Sequence, residues 1–378
     1  MNTNLSSDSG VGPRARIVLM AGFLGAGKTT AAAEFARFLQ KRGKIAAVIT
    51  NDHGAELVDS TTLRAQGIFT ESLQGGALCG LQADFIKIAH RFIEKSRAEV
   101  LIAEPIGTCS NFARDFIEPL RRANPIFTFA PLSVLVDPLR ARQLLKPEAA
   151  SAGSNNAAAP FRHQLAEADF IVINKADQLP ARDLAELRME LAQQFPSARI
   201  FTVSATGGAG LEEWFECVMS KDWVPRPAIQ NERAMEEISI SWLNCTVLLS
   251  SVRYFEAGKL LVDLATCVQS LLKQEAGEII HLKMVLKPDH DGSDIAALSL
   301  VQSQSAPKLS RDVSEPIQRG ELFLSARAEA DPEILHSVLN RALLALMERS
   351  SELFARMQHC EHFRPGNSKR PSASAALA

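Results

Sequence analysis

Long apolar runs are missing from this chain, and nothing in it approaches the roughly 18 consecutive apolar residues of a membrane-spanning helix. The opening MNTNLSSDSGVGPRA is polar and lacks the apolar centre of a secretory signal. A cytoplasmic protein with no membrane partner is the expectation. An excess of one charge is missing too. With 41 basic and 43 acidic side chains the formal net charge is -2, which excludes a strong electrostatic footprint for nucleic acid. Paired cysteine motifs are also absent. The six cysteines, at 79, 109, 217, 245, 267 and 360, show no CxxC spacing, which argues against a disulfide framework or a zinc ribbon. Cys217, Cys245 and Cys267 lie in apolar patterns and read as small core residues.

What the chain does have is 378 residues with 46% hydrophobic content, enough for two domains. From residue 14 onward, short apolar runs alternate with helix-patterned segments. The candidate strands are 16–20, 45–50, 100–103, 132–136, 170–173 and 200–203. Their near-continuous apolar character is that of strands buried on both faces of a parallel sheet. This predicts an α/β domain over 14–222, after a flexible start at 1–13. PEAASAGSNNAAAP reads as a mobile insertion at 146–160, and the prolines at 225 and 227 open a linker over 223–236. A smaller α+β domain is expected over 237–352, with strands at 238–249, 278–286, 296–301 and 322–327 and helices at 255–273 and 332–351. Residues 353–378 read as a disordered tail.

After the first strand comes Gly22-Phe23-Leu24-Gly25-Ala26-Gly27-Lys28-Thr29, a complete GxxxxGK[ST] that opens a helix. Gly22, Gly25, Ala26 and Gly27 can turn backbone N–H groups toward phosphates, with Thr30 closing the first helical turn behind them. Lys28 can reach the β and γ phosphates, and the Thr29 hydroxyl can face magnesium. A P-loop NTPase with bound Mg2+ follows. The buried strand 170–173 runs into Asn174-Lys175-Ala176-Asp177. A carboxylate at Asp177 accepts from the ring N–H and the amine of guanine, a donor pair that adenine lacks. GTP and GDP are therefore the expected nucleotides. Ser204-Ala205, after the next strand, can offer N–H groups to the guanine carbonyl. Glu104 ends the strand 100–103 where a carboxylate can hold magnesium, and Gly107 can donate its N–H to the γ-phosphate. Asp52, after the second strand, is placed to position the attacking water.

These residues resemble the CobW-type metallochaperone GTPases. The resemblance rests on GFLGAGKTT, on Asn51-Asp52-x-Gly54, on Glu104-x-x-Gly107 in place of an Asp-based Walker B, on the run 164–177, and on Gly210-Leu211-x-x-Trp214. It covers residues 16 to about 220. It implies GTP hydrolysis coupled to delivery of a metal ion or metallocofactor, of zinc, cobalt or corrinoid type, to a client metalloprotein or a corrinoid-type enzyme; a homodimer is a further expectation. In that family one loop reads Gly-Cys-x-Cys-Cys, and its thiolates hold the cargo metal. Here the three positions are Ala77, Cys79 and Gly80. A rebuilt zinc set of His53, Cys79 and Cys109 is the remaining candidate around that loop. A metal-free GTP switch that remodels or activates a client is the alternative reading. Binding without turnover is opposed by the intact Lys28, Thr29 and Glu104. Two further candidates lie in the second domain. His359-Cys360-Glu361-His362 puts four potential metal ligands in four residues, with His359 and His362 on one face if the segment is helical; it reads as a frayed helix end, with a weak surface metal site as the alternative. His281 reads as a sheet-surface histidine.

Overall fold

The computed structural model describes residues 14–51, 58–73, 78–107, 109–146, 158–224, 240–289, 294–301, 303–350 and 352–364. The expected segments 1–13 and 223–236, most of the insertion, and the end of the tail lie wholly or largely outside them. Among the described residues, no helix is long and apolar enough to cross a membrane.

Two sheets organise the chain. The first has the order β3-β2-β4-β1-β6-β7-β8, with β5 also paired to β1. Its strands are β1 (Ala15–Gly22), β2 (Ala46–Asn51), β3 (Phe69–Leu73), β4 (Val100–Glu104), β5 (Phe127–Phe129), β6 (Ser133–Val136), β7 (Phe170–Ile173) and β8 (Arg199–Thr202). Every pairing in it is parallel. Its central strands β4, β6 and β7 are buried along their whole length, the burial that their apolar sequences require.

All six strands expected in this half are present, and two more were missed. At the edge, β3 is Phe-Thr-Glu-Ser-Leu with Phe69 half exposed, so it never had the apolar run that marks a central strand. The three residues of β5 are too few to show a period. In the insertion, residues 158–160 begin the helix Ala158–Glu167, because Ala158 and Phe161 bury against the sheet.

The second sheet is antiparallel throughout, ordered β12-β11-β10-β13-β9-β14. It consists of β9 (Ser241–Phe255), β10 (Glu278–Pro288), β11 (Ala296–Leu300), β12 (Lys308–Arg311), β13 (Ile317–Glu329) and β14 (Leu353–Phe363). Helices Ala257–Gln274 and Pro332–Arg349 cover one face and share its apolar core. The reading of 353–378 as a disordered tail is corrected over β14. A register shift between Met357 and His359 moves the inward positions from Leu353, Ala355 and Met357 to Cys360 and His362. That bulge breaks the period-2 pattern by which a strand is recognised. On a strand it is Cys360 and His362 that share a face, where the helical reading had paired His359 with His362.

The two sheets meet at the C-terminal edge of the first. Trp242, Ile280 and Phe363 join the core of the parallel domain. The buried guanidinium of Arg140 donates to the carbonyls of Ile280 (3.0 Å) and Val301 (2.8 Å). Backbone carbonyls at the sheet crossing thereby gain a charged donor.

Candidate functional site

The phosphate loop leaves β1 through Gly22, whose φ of 140° is a conformation open to glycine; a Cβ there would lie 2.3 Å from the Leu135 carbonyl. Gly27 also has positive φ, and its missing side chain is filled by the Asn174 amide, which a Cβ would meet at 2.4 Å. Helix α1 (Lys28–Lys41) starts at once and buries Ala31, Ala32, Phe35 and Leu39, so its N-terminus is held rigidly at the loop. Lys28 turns its ammonium back onto the Gly22 carbonyl (3.0 Å). Burial pushes its pKa down, a shift opposed by the nearby Glu104.

Thr29 and Glu104 come together. The Thr29 hydroxyl lies 2.8 Å from Glu104 Oε1 and 3.0 Å from Asp59 Oδ1. Among the described residues, the second oxygen of Glu104 is buried with no hydrogen-bond partner. Burial, with Asp59 beside it, pushes the Glu104 carboxyl up to about 7, against the opposing pull of Lys28 and Lys283. Lys283 comes from β10 of the second domain. It forms an ion pair with Asp59 and lies 3.3 Å from the Thr29 hydroxyl. Neither Asp59 nor Lys283 belongs to a recognisable motif, so sequence reasoning missed both.

The base-recognition motif is tied to the phosphate loop by one side chain. Asn174 donates to the Ala26 carbonyl (2.8 Å) and accepts from Ala205 N–H (2.9 Å). Lys175, in a left-handed conformation with φ of 56°, forms an ion pair with Asp137 at 2.9 Å. Asp177 is exposed. It accepts from the Ser204 hydroxyl at 2.6 Å, and that bond holds its carboxyl below the usual range. The N–H groups of Ser204 and Ala205 are taken by the Ala209 carbonyl and by Asn174. Ala205 N–H thereby orients the Asn174 amide, and the Ser204 hydroxyl orients Asp177. Gly107 packs on the phosphate loop, where a Cβ would lie 2.7 Å from the Leu24 nitrogen. Gln164 donates to the carbonyls of Gly107 and Cys109 and pins that turn.

The cavity enclosed by these groups measures about 620 Å³ and is closed from the far side by Lys283, Val301 and Lys308, within the size range of small-ligand sites. His281 also lines it. It is buried, not on the sheet surface, and burial beside Lys283 holds its pKa well below the usual imidazole range. The strand reading was right, but the two-domain contact covers the face on which the ring lies.

Of the proposed zinc set, Asp52's neighbour His53 lies outside the described residues, as do Asp52 itself and Ala77. Cys79 is half-buried against the apolar core, its thiol 3.9 Å from the Ser110 carbonyl, and Cys109 is buried. Burial pushes the two thiols up to about 12 and about 11 respectively. Burial thus disfavours, at both positions, the thiolate form that binds metal.

Residues 16–202 match the family described as CobW/HypB/UreG, nucleotide-binding domain. The zinc chaperone CobW of Pseudomonas aeruginosa is 27% identical over 206 residues, covering 48% of this chain and 54% of that protein. The zinc chaperone YeiR of Escherichia coli is 27% identical over 166 residues, covering 43% and 47%. The chain thus spans about half the length of the curated relatives it matches. Among solved structures, HypB from Helicobacter pylori in complex with nickel aligns with 19% identity over 55% of this chain and 86% of its own (TM-score 0.39). The Zn(II)-bound YjiA GTPase from E. coli aligns with 18% identity over 88% and 99% (TM-score 0.36). The order of motifs along the parallel sheet and the span of the family match agree, and the first domain of this chain, residues 16–202, belongs to the CobW/HypB/UreG nucleotide-binding family.

Proposed function

We propose that the protein binds and hydrolyses GTP and uses the cycle to deliver a metal ion or metallocofactor to a client metalloprotein. The observation that carries this reading is the Thr29–Glu104 contact of 2.8 Å beneath a complete phosphate loop. Thr29, Glu104 and Asp59 form an all-oxygen set suited to a hard cation, and the unpartnered Glu104 Oε2 is an open acceptor within it. When bound, magnesium supplies positive charge against the phosphate oxygens.

The protein's own groups perform the remaining tasks. Lys28 exchanges the Gly22 carbonyl for the β and γ phosphates, whose negative charge opposes the desolvation of its ammonium. Asn174 holds the loop, and Asp177 selects guanine through two accepted hydrogen bonds. Gly107 offers its N–H to the γ-phosphate, and Asp52 orients the water. Lys283, from β10, occupies the Thr29–Asp59 corner, so a cation held by Thr29, Glu104 and Asp59 would compete with its ammonium and link the nucleotide state to the second domain.

The metal-free switch is kept as a second reading because of one observation: of the three family thiol positions, Ala77 and Gly80 carry no thiol and only Cys79 does. Metal analysis of the purified protein with GTP and with GDP, run beside a phosphate-release assay, separates the two. Metal occupancy that changes with the nucleotide supports delivery. Turnover with no such change supports the switch. Equal affinity for ATP and GTP sinks both.

A further inference from the structure

Outside the matched domain, the second sheet brings together three side chains that the nucleotide site does not use. After the β14 bulge, Cys360 and His362 are both buried on the inner side. There they meet His336, which projects from helix Pro332–Arg349. One ligand atom from each of the three lies within 4.8 Å of the others. His362 is 5% exposed. Its Nε2 is 3.1 Å from Glu333 Oε1, one helical turn before His336, while its Nδ1 is buried with no hydrogen-bond partner. A carboxylate on one imidazole nitrogen fixes the proton there and leaves the other lone pair free, the arrangement that metal-binding histidines share. Here that lone pair has no other use.

We propose that His336, Cys360 and His362 form a zinc site, with Glu333 as the carboxylate that orients His362 and water as the fourth ligand. One thiolate and two imidazoles suit a borderline-soft divalent ion and do not suit magnesium or calcium. Zinc bond lengths of about 2.0–2.3 Å place ligand atoms roughly 3.3–3.6 Å apart, so the cluster must contract by about an ångström. The two imidazole rings now stack nearly parallel, with centroids 4.5 Å apart. One must turn about its Cβ–Cγ bond for both lone pairs to converge. His336 is the ring placed to do so. It is only half-buried, its Nε2 lies 3.3 Å from the Asn340 amide, and it lines an open groove with Asn340, Met347 and Met357. On binding, the Cys360 thiol gives its proton to solvent and its sulfur lone pair to the metal. The site rests on these residues and does not depend on the nucleotide reading.

The test uses the full-length chain, stripped with a chelator and titrated with zinc against a chromophoric competitor, and in parallel with cobalt(II). The expected result is one equivalent of zinc and a cobalt spectrum with a sulfur-to-metal charge-transfer band. Cys360→Ser should abolish that band. His336→Ala should weaken zinc by more than roughly tenfold, and Glu333→Gln by roughly ten- to a hundredfold. A Cys79→Ser/Cys109→Ser double variant should bind as the wild type does. GTP binding by each variant reports that it is folded, and the half-exposed His336→Ala keeps the test open where Cys360→Ser misfolds. A stripped wild type that takes up no zinc, a cobalt complex without the thiolate band, or affinity unchanged in both His336→Ala and Cys360→Ser would overturn the assignment.

Discussion

Replacing Lys283 with methionine keeps the aliphatic stem and removes the ammonium that the second domain sends into the Thr29–Asp59 corner. In the free protein that charge offsets Asp59 and helps hold Glu104 ionised. At an effective dielectric constant of about 20, a unit charge pair about 4 Å apart interacts by about 4 kcal/mol. The Lys283 side chain is 25% exposed, so solvent screening reduces this to about 1–2 kcal/mol. Lys283→Met should therefore lower the stability of the nucleotide-free protein by about 1–2 kcal/mol. It should also raise affinity for magnesium with GTP by about tenfold, because a resident cation no longer competes for the same oxygens. Chemical denaturation without nucleotide gives the first quantity, and calorimetric titration of GTP with magnesium or with EDTA gives the second. The gain should vanish in EDTA. Weaker binding of GTP with magnesium by the variant, at unchanged free-state stability, would show that Lys283 holds phosphate and does not stand in for the metal.

Asp177→Asn should weaken GTP binding by about 1.5–3 kcal/mol and improve binding of xanthosine triphosphate, whose base offers an acceptor where guanine offers a donor; calorimetry with both nucleotides checks it. Lys28→Ala should lose triphosphate affinity, whereas Glu104→Gln should bind GTP and release phosphate slowly in a single-turnover assay; normal turnover by Glu104→Gln would remove Glu104 from the magnesium shell. The raised carboxyl of Glu104 predicts a pH dependence. Between its ordinary value of 4.5 and about 7 the native state holds a proton that the unfolded chain has lost, so this group's contribution to stability falls as pH rises through that window. Affinity for magnesium with GTP should rise over the same window, and Glu104→Gln should flatten both profiles.

Much of this protein was legible because its chemistry is written in short contiguous stretches. The phosphate loop from Gly22 to Thr29 and the turn from Asn174 to Asp177 work through backbone geometry imposed by neighbours in the chain, and each follows an apolar strand that announces itself. The near-continuous apolar signature also located every central strand of the parallel sheet, since burial on both faces leaves few polar positions. Where burial is one-sided that signature fails. The edge strand β3 and the bulged β14 were overlooked for this reason, and with β14 went the correct face for Cys360 and His362. Other features exist only in the folded molecule. Lys283 is 254 positions from Thr29, and nothing in the local sequence of a strand says which charge its side chain will meet. The buried state of His281, the disfavoured thiolates of Cys79 and Cys109, and the raised carboxyl of Glu104 likewise depend on how much water the packing of two domains excludes. Sequence by itself located the phosphate loop and the Asn174–Asp177 turn, because each is written in contiguous residues that follow an apolar strand; the tertiary structure alone decided the charges and partners around them, because desolvation and contact belong to the whole fold.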